Sequence, residues 1–448
     1  MLNGKRKMTG QKKGGVLFWI LSAVFTTVFL IPQSAFPVND ICVLSPSHLS
    51  SCLEELEASD LGTRIPLILI HGWNSQSVPA SPQKEVWANF LFYYLTNPSL
   101  KNKFKAYYFS YHSNDISVFD LGGKLRDVLD EKNAIDPTNF GSKPVAILAH
   151  SMGGLIARSY MQQHWQANGA FAGKPGGERV LKLITLGTPH YGSPLANGDA
   201  LRWRLPQWGA SISAYSEFLL KVDYDELNRA NLRWDNHDGL LNYSLFPDEQ
   251  NPWLLNDLNT GTTYANKIGA YASVFSNETF CPNLSLPHAE LAYNCGQLIL
   301  SDGLGIPNDG LVPLESALFD NHVDSSQQRI FSQQNYNHSE IATGYPGDGD
   351  AIFNRLRADL EGIPVISWLT LPPSPMISGQ NYTVSWKILG GTTVGHTNIH
   401  WDIVLLEVLF VTVAVVTWRE HMGLLEFQSH RLSRAGLMPH QERKNNGA

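Results

Sequence analysis

The sequence has little that would mark a nucleic-acid, metal or repeat protein. Only 16% of its 448 residues are charged, the formal net charge is -7, and no basic stripe suggests a nucleic-acid partner. Cysteine occurs four times, and never with the CxxC spacing of a zinc ribbon. The chain shows no clear internal repeat and is long enough for a large core and two domains. Function must therefore be sought in local motifs.

Long apolar runs are scarce, and the first lies near the N-terminus. Five Lys and Arg residues precede an apolar stretch from Val16 to Pro32. A basic head followed by such a run is typical of an export signal, although this run is short for a membrane span of about 20 residues. We therefore expect residues 1–34 to be a signal peptide or a signal anchor. Either one predicts a secreted or extracytoplasmic protein, and an uncleaved anchor would keep it at the membrane.

The four cysteines agree with an exported chain, in which disulfides form. Cys42 lies close to Cys52 in the sequence, and Cys281 lies close to Cys295. Pairing within each couple closes a short loop, so Cys42–Cys52 and Cys281–Cys295 are the favoured disulfides. Two other connectivities are open for four cysteines, and buried free thiols are the alternative.

Strand-like and helical segments alternate through residues 35–362, after a stretch up to residue 60 that we interpret as an exposed leader. The predicted strands are Ile65–Trp73, Phe104–Tyr111, Pro144–Ala149, Arg179–Gly187, Asn266–Phe275 and Gln328–Ser332, and the predicted helices are Ala80–Leu95, Leu121–Asn133, Gly153–Trp165 and Asp350–Gly362. Such alternation predicts an α/β fold with a mostly parallel sheet covered by helices on both faces.

Two segments depart from this alternation. The first, about 195–265, is rich in aromatic residues and has the length of an insertion that caps a site. Its aromatics could cover an acyl-binding cleft or simply pack a small core of the cap; they are Trp203, Trp208, Tyr215, Phe218, Tyr224, Trp234 and Trp253. The second, 363–448, begins with period-2 alternation and is predicted to be a β-rich, incomplete sandwich. It also holds an apolar stretch, Ile403–Trp418, and a basic tail.

A serine stands at the junction of a predicted strand and a predicted helix, in "VAILAHSMGGLIAR" (Val145–Arg158). At such a junction a sharp turn lifts the Ser151 hydroxyl clear of the sheet, and the helix N-terminus offers N–H groups to a developing oxyanion. The usual esterase motif has glycine two residues before the serine, where this chain has Ala149. Its extra methyl is small enough to be tolerated.

A nucleophilic serine needs a histidine base and a carboxylate that orients the histidine. Asp309 in "NDGLVP" and His338 in "NYNHSE" follow Ser151 in the order of the hydrolase arrangement. Each is predicted at the carboxyl end of a strand, on the same edge of the sheet as Ser151. Asp302 and His322 are weaker candidates, the latter because it precedes its strand.

The oxyanion of such a reaction needs two N–H donors. One donor comes from the residue after the nucleophile, Met152, and the other from a loop after an earlier strand. "HGW" (His71–Trp73) follows the first predicted core strand, so the Trp73 N–H is the candidate. The alternative is that His71-Gly72 is only a turn.

Together, "HGW", "AHSMGG", "LGTPHYGSP" and "NDGLVP…NHSE" resemble the α/β-hydrolase superfamily, and specifically its bacterial-type lipase and esterase branch. The resemblance covers about residues 65–362. It implies an α/β-hydrolase fold and a carboxylic ester hydrolase (a triacylglycerol lipase or a carboxylesterase) that needs no cofactor. By this resemblance Ser151, Asp309 and His338 are nucleophile, acid and base, and Trp73 and Met152 are the oxyanion donors.

Metal sites known in related lipase families are not supported here. A structural calcium would use the residue two positions after the base, which is Glu340, but no second ligand is evident. A zinc in the cap would draw on "WDNHDG", but the spacing of Asp235, His237 and Asp238 favours a solvated loop.

The expected substrate is an acylglycerol or another fatty acyl ester, met at a lipid or membrane interface. An amidase or acyltransferase could use the same three residues, and a non-catalytic ectodomain could use the same fold. The oligomeric state stays open. Five N-x-S/T sequons occur, and a glycan on the one at Asn337 would obstruct His338; they are Asn242, Asn277, Asn283, Asn337 and Asn381.

Overall fold

The computed structural model describes most of the chain between residues 51 and 400. The described residues are 51–73, 86–111, 116–197, 230–237, 251–261, 263–276, 288–303, 305–344, 350–363, 366–370, 381–388 and 394–400. The chain divides into two compact units, 1–363 and 364–448. The predicted export signal, most of the aromatic cap and the apolar stretch 403–418 lie outside the described residues. Within the described part of the chain, no helix is long and apolar enough to cross a membrane.

Seven strands form one sheet in the first unit. They are β1 (Ser51–Glu55), β2 (Ile65–Ile70), β3 (Phe104–Tyr111), β4 (Val145–His150), β5 (Val180–Leu186), β6 (Ile268–Ser273) and β7 (Gln328–Phe331). Their order is β1-β3-β2-β4-β5-β6-β7. All neighbours are parallel except β1, which runs antiparallel to β3. The predicted, mostly parallel sheet is confirmed.

The central strands owe their position to continuous apolar sequence. Every residue of β2 ("IPLILI") and of β4 ("VAILAH") is buried. A strand in the middle of a parallel sheet has no face toward water, so it reads as an unbroken apolar run. Leu67 pairs with Ala146 and Ile70 with Ala149, which brings the carboxyl ends of the two strands to the same edge.

The α-helices in the described residues follow or flank these strands. They are α1 (Ala88–Thr96), α2 (Pro98–Lys103), α3 (Val118–Ile135), α4 (Met152–Gln163), α5 (Gly176–Arg179), α6 (His288–Leu298), α7 (Leu314–Leu318), α8 (Glu340–Thr343) and α9 (Asp350–Glu361). α3 packs closely on α4, because Gly122 has no side chain: a Cβ there would lie 2.5 Å from the Ser159 hydroxyl. α4 is buried over its first ten residues and carries the region after the serine.

The prediction of an exposed leader up to residue 60 is wrong for its last part. Residues 51–55 form β1 at the edge of the sheet, with Leu53 paired to Phe109 and almost fully buried. The sequence "SCLEE" looks polar, but Glu55 is neutralised by ion pairs with Lys105 (2.6 Å) and Lys132. An edge strand of this kind needs only one apolar face, so its apolar signal is weak.

The segment around Cys295, for which the sequence indicated no helix, is helical. Residues His288–Leu298 form α6, which continues into a π-helical turn at Ile299–Gly303. Cys52 lies in β1 and Cys295 in α6. Their predicted partners, Cys42 and Cys281, lie outside the described residues, so the pairing stays a prediction.

The second unit contains a three-stranded antiparallel sheet. Its strands are β8 (Ile366–Thr370), β9 (Asn381–Ile388) and β10 (Val394–His400), in the order β10-β9-β8. β9 coincides with the period-2 alternation seen in the sequence. β10 was not identified from sequence, since no comparable alternation marks it.

Candidate active site

Ser151 occupies a sharp turn between β4 and α4. Its backbone has φ 53° and ψ -130°, a combination that a residue with a side chain adopts only under strain. The Ser151 N–H donates to the Leu186 carbonyl of the neighbouring strand at 2.9 Å, and α4 begins at the next residue. The strain of the turn is therefore held on both sides by regular structure.

The small residues around the turn are required by close backbone approach. A Cβ on Gly153 would lie 2.3 Å from the His71 carbonyl oxygen, and one on Gly154 would lie 2.1 Å from the Thr188 hydroxyl. Ala149, by contrast, is fully buried in the apolar core with its methyl accommodated. The position two residues before the serine tolerates alanine, and the two positions after Met152 do not.

The three residues predicted as a triad lie in one hydrogen-bonded chain. The Nε2 atom of His338 is 2.8 Å from the Ser151 Oγ atom, and its Nδ1 atom is 2.8 Å from the Asp309 Oδ2 atom. The three residues are buried, and the serine, at 9%, is the most exposed. Ser151 and His338 are 187 positions apart in sequence, so this contact exists only in the folded chain.

The Asp309 carboxylate is fixed by its own turn. Its Oδ1 atom accepts hydrogen bonds from the N–H groups of Leu311 (3.0 Å) and Val312 (2.8 Å). Gly310 follows with φ 99°, which a residue with a side chain would rarely adopt. Because Oδ1 is occupied by backbone donors, Oδ2 is left to orient the His338 ring.

The end of β5 passes directly beside the Asp309–His338 pair. Gly187 has φ 58°, and a Cβ there would lie 3.0 Å from Asp309 Oδ2 and 3.3 Å from His338 Nδ1. This glycine is the first residue of the "GTPHYGS" motif. The motif therefore serves the site through its backbone, by leaving room for the acid and the base.

His338 is presented by a reciprocal cap at the start of α8. The Asn337 side-chain oxygen accepts from the N–H groups of Ser339 (2.9 Å) and Glu340 (3.1 Å), while a Glu340 carboxylate oxygen accepts from the Asn337 N–H at 2.8 Å. Glu340, at the position of a calcium ligand in related lipases, is thus engaged by backbone. Asn337 is buried, which does not suit a glycosylated asparagine.

The loop after β2 faces the serine. A Cβ on Gly72 would lie 2.6 Å from the Ser151 Cβ and 3.2 Å from its Oγ. The loop is held by Tyr111, whose hydroxyl donates to the His71 carbonyl at 2.5 Å and whose ring stacks on the His71 ring at 3.9 Å. Trp73 follows in this loop, and Met152 opens α4, where the first N–H groups have no partner within the helix. Their oxyanion role stays a prediction.

Burial keeps the histidines around the turn neutral. It lowers the pKa of His71 and the pKa of His150 to about 3. In His150 the nearby His338 lowers the pKa further. Neither ring therefore adds a positive charge beside the Asp309–His338 pair near neutral pH. The sequence indicated no role for His150.

The competing candidates lie elsewhere. His322 stacks on Phe319 with ring centroids 4.4 Å apart and lies beside Tyr191. Asp302 belongs to the π-helical turn after α6, and its side chain is outside the described residues. The chain of hydrogen bonds from Asp309 to Ser151 includes neither of them.

The cap residues considered for zinc form a local pair instead. Asp235 Oδ1 accepts from the His237 N–H at 3.0 Å and pairs with its Nδ1 at 2.8 Å. Asp238 lies outside the described residues. Among the residues described, no group of three or more His, Cys, Asp or Glu side chains has the arrangement of a metal site.

Comparison with known proteins agrees with this architecture. Residues 62–203 match the model of a family described as the PGAP1-like alpha/beta domain. The match spans the loop after β2, the serine turn and the motif after β5. The first unit has the α/β-hydrolase fold, as the motifs predicted. No curated protein sequence matches the chain significantly.

Solved structures of similar fold include hydrolases from bacteria and archaea. The lipase BlEst2 of Bacillus licheniformis is 17% identical, with 69% of this chain and 97% of that chain covered and a TM-score of 0.44. A carboxylesterase structure of the thaumarchaeon Nitrososphaera gargenis is 14% identical, with 70% and 96% covered and a TM-score of 0.34. The phospholipase PlaB of Legionella pneumophila is 16% identical, with 56% and 45% covered and a TM-score of 0.32. These identities are too low to transfer a substrate or a mechanism.

Proposed function

We propose that the protein is a serine carboxylic-ester hydrolase that works through an acyl-enzyme. The observation that carries this proposal is the continuous chain from Asp309 through His338 to the strained Ser151, with 2.8 Å at both links. A buried carboxylate that fixes one ring nitrogen leaves the other nitrogen as an acceptor for the serine proton. Those are the requirements for an activated hydroxyl nucleophile.

In the proposed reaction, the Ser151 hydroxyl attacks the ester carbonyl carbon while His338 Nε2 takes its proton. Asp309 stabilises the imidazolium that forms. The N–H groups of Met152 and Trp73 stabilise the oxyanion. His338 then returns the proton to the leaving alcohol, and the acyl group stays on Ser151. A water molecule, deprotonated by His338, attacks this ester, and the acid leaves as the serine is restored.

The proposed substrates are acylglycerols or other fatty acyl esters. Support from the cap is partial, because most of its aromatic residues lie outside the described residues. Of the two described, Trp234 is fully buried and Trp253 packs against the core. At these two positions the aromatics pack the cap's attachment to the core instead of lining an open cleft.

The test is covalent labelling of the purified protein with a fluorophosphonate probe, mapped by mass spectrometry. The probe should label Ser151, and Ser151→Ala should abolish labelling and lower ester hydrolysis by about 10³-fold or more. Ser159→Ala is the matched control, because that serine is buried in α4 with its hydroxyl bonded to Gln163 and lies outside the hydrogen-bonded chain. If the wild-type protein hydrolyses esters and the Ser151→Ala variant keeps that activity, the proposal is refuted.

Substrate class follows from a series of soluble and emulsified esters with acyl chains of increasing length. A lipase should prefer long chains at an interface, and an esterase should prefer short soluble ones. Added alcohol acceptors would reveal an acyltransferase by a transfer product, and anilide substrates would reveal an amidase. Absence of labelling in folded wild-type protein would favour a non-catalytic ectodomain.

We further propose that the protein acts outside the cytoplasm. The proposal rests on the basic and apolar N-terminal segment, 1–34, and on the predicted disulfides Cys42–Cys52 and Cys281–Cys295. Cell fractionation of the full chain and of a chain lacking residues 1–34 would test it. Recovery of both in the cytoplasm would contradict it, and release of the full chain or its retention in membranes would separate a cleaved signal from an anchor.

A further inference from the structure

The residue before the nucleophile makes a contact that neither the predicted triad nor the oxyanion loop accounts for. The His150 Nε2 atom lies 2.7 Å from the main-chain carbonyl oxygen of His338. A carbonyl oxygen only accepts, so Nε2 must carry the proton and donate. His150 and His338 are 188 positions apart in sequence, so this bond joins the end of β4 to the segment that carries the base.

This bond closes a ring of contacts around the reacting atoms. His338 is held to the Ser151 hydroxyl by its ring, at 2.8 Å, and to the residue before Ser151 by its carbonyl, at 2.7 Å. Because its main chain and its ring are both hydrogen-bonded, His338 cannot move its ring away from the serine without breaking one of these two hydrogen bonds. Proton transfer depends on such placement, because it requires donor and acceptor within hydrogen-bond reach.

The surroundings of the His150 ring suit a donor that never becomes charged. The rings of His150 and His338 have centroids 5.0 Å apart, close enough for a second positive charge to oppose the imidazolium of the reaction. Burial lowers the pKa of His150 to about 3, so its ring stays neutral while His338 takes the serine proton. The bond to the His338 carbonyl is therefore present in both protonation states of the base.

The other nitrogen of His150 supports the same assignment. Its Nδ1 atom is buried and has no hydrogen-bond partner among the described residues. A Cβ on Gly72 would lie 3.2 Å from this atom, so the ring fits closely against the loop after β2. Because Nδ1 is enclosed and Nε2 donates, the His150 ring has one orientation that hydrogen-bonds the His338 carbonyl oxygen.

We propose that His150 is a positioning residue, which holds the main chain of His338 so that the His338 ring meets the Ser151 hydroxyl in reacting geometry. It touches neither the substrate nor the reacting atoms. This inference rests on the proposed hydrolase function and concerns the same site.

The test compares two substitutions of His150 that differ in the donor. H150L fills a similar volume without a donor, and H150Q places an amide N–H where the ring Nε2–H was. H150L should lower kcat about 10- to 100-fold with KM changed less than twofold, because misplacement of a base by about 1 Å can cost that much. H150Q should restore kcat to within about fivefold of wild type.

The matched control is H164L. His164 Nε2 also bonds a main-chain carbonyl, that of Phe119, at 2.9 Å, and the ring is buried at the far end of α4. This variant loses the same kind of bond and should lose stability without loss of kcat. If H150L does not yield folded protein, H150F, which also lacks a donor and keeps a planar ring, replaces it.

The outcomes separate this inference from the proposed function. Wild-type protein that neither hydrolyses esters nor reacts with the fluorophosphonate probe would refute the proposed function itself. Active wild-type protein with full kcat in H150L would refute the role of His150 alone. A fall of kcat in H150L and H150Q alike, or an equal fall in H164L, would assign His150 to general stability instead of positioning. The fluorophosphonate inactivation rate of Ser151 should follow kcat across the variants.

Discussion

Two Asp–His pairs among the described residues have the same short distance, and they differ in what lies beyond the histidine. Asp309 and His338 are 2.8 Å apart, and the next atom is the Ser151 hydroxyl oxygen. Asp235 and His237 are also 2.8 Å apart, but the other ring nitrogen of His237 faces a Glu315 carboxylate oxygen at 4.0 Å. A carboxylate beside a histidine is therefore not by itself a catalytic arrangement. The third group decides, because a serine hydroxyl has a proton that the histidine can take as a base, whereas an ionised carboxylate has none.

The two pairs also differ in how they arise. Asp309 and His338 come from separate loops at the carboxyl edge of the sheet. Asp235 and His237 are two positions apart and form a local turn in what we call the cap root, the described ends of the cap insertion, residues 230–237 and 251–261. There the Asn259 amide links Asp235 (3.1 Å) to the buried Arg158 of α4 (2.9 Å). The cap-root pair attaches the insertion to the core.

Among the substitutions that test this comparison, Asp309→Asn should have the largest effect. An asparagine there would leave the His338 ring in place but favour the wrong tautomer, and ester hydrolysis should fall by about 10⁴-fold. Asp235→Asn makes the same chemical change in the other pair and should leave kcat within about threefold. Initial rates at neutral pH measure both. Equal losses in the two variants would break the distinction between a catalytic and an attaching pair.

A second prediction concerns the space that the Asp309–His338 pair needs. Gly187→Ala places a methyl about 3 Å from the Asp309 carboxylate and forces a residue with a side chain to a φ of 58°. We expect a 10- to 100-fold lower kcat, because the acid and the base would be displaced by several tenths of an ångström or more. Gly173→Ala is the control, because that glycine also has a positive φ, 73°, but has nothing within 4 Å of an added Cβ.

The Gly173→Ala variant should lose about 1 kcal/mol of unfolding free energy from backbone strain and no activity. Comparing kcat and the unfolding free energy in the two variants separates strain from crowding. A kcat for Gly187→Ala equal to that of Gly173→Ala would show that the Asp309–His338 pair adjusts freely.

A third prediction follows from neutral histidines in both regions. Burial lowers the pKa of His71 and His150, beside the site, to about 3, and the pKa of His190, beside the cap root, falls well below its usual value. Their unfolded pKa is about 6.5, so below that pH the unfolded chain binds more protons than the folded one. Stability is full above pH 6.5 and falls as the pH drops toward 3.

Between pH 7 and pH 5, His71 and His150 should each lower the unfolding free energy by about 2 kcal/mol, and His190 should lower it further. Urea unfolding at the two pH values measures the total. His150→Gln removes one titrating ring at the site, and His190→Gln removes one at the cap root. His150→Gln should show about 2 kcal/mol less pH dependence of the unfolding free energy than wild type, and His190→Gln should also show less. An unchanged pH dependence in either would mean that the ring concerned is already protonated, or equally titratable, in the folded state.

The smallest expected effect is at Ala149. Ala149→Gly would restore the usual glycine of the esterase motif, yet the alanine methyl is already accommodated in the core. Activity should stay within about twofold of wild type, and the unfolding free energy should fall by about 1 kcal/mol from added chain entropy and a lost methyl. Initial rates and urea unfolding check both. A large gain in activity would show that the methyl constrains the serine turn.

Much of the central fold was predictable from local patterns. β2, β3 and β4 coincide within one residue with predicted strands, apart from the loop residues included after β2. β2 and β4 are apolar except for His150, because a buried parallel strand has no polar face. The sequence patterns did not identify β1 or α6. β1 is an edge strand with few apolar residues, and α6 lies in a segment whose length and polar character resemble a loop.

The candidate site was predictable to the level of its three residues, and its supporting contacts were not. Ser151 stands at a recognisable strand–helix junction, and Asp309 and His338 follow strands in the expected order. Nothing in the local sequence marks His150 as the donor to the His338 carbonyl, or Gly187 as the residue that makes room for the acid. Such contacts join positions far apart in the chain, so no local pattern encodes them.

The sequence alone determined which residues could do chemistry, since local patterns place a serine, an aspartate and a histidine at the ends of strands. Chain order indicated Asp309 and His338, and the tertiary structure brings this Asp–His pair into contact with the serine. Asp235 and His237 are two positions apart in sequence and 2.8 Å apart in space, but the histidine faces the Glu315 carboxylate. The pair that meets Ser151 is made by packing β4, β5 and the loop before α8 together, because hydrogen bonds act over about 3 Å in space and not along the chain.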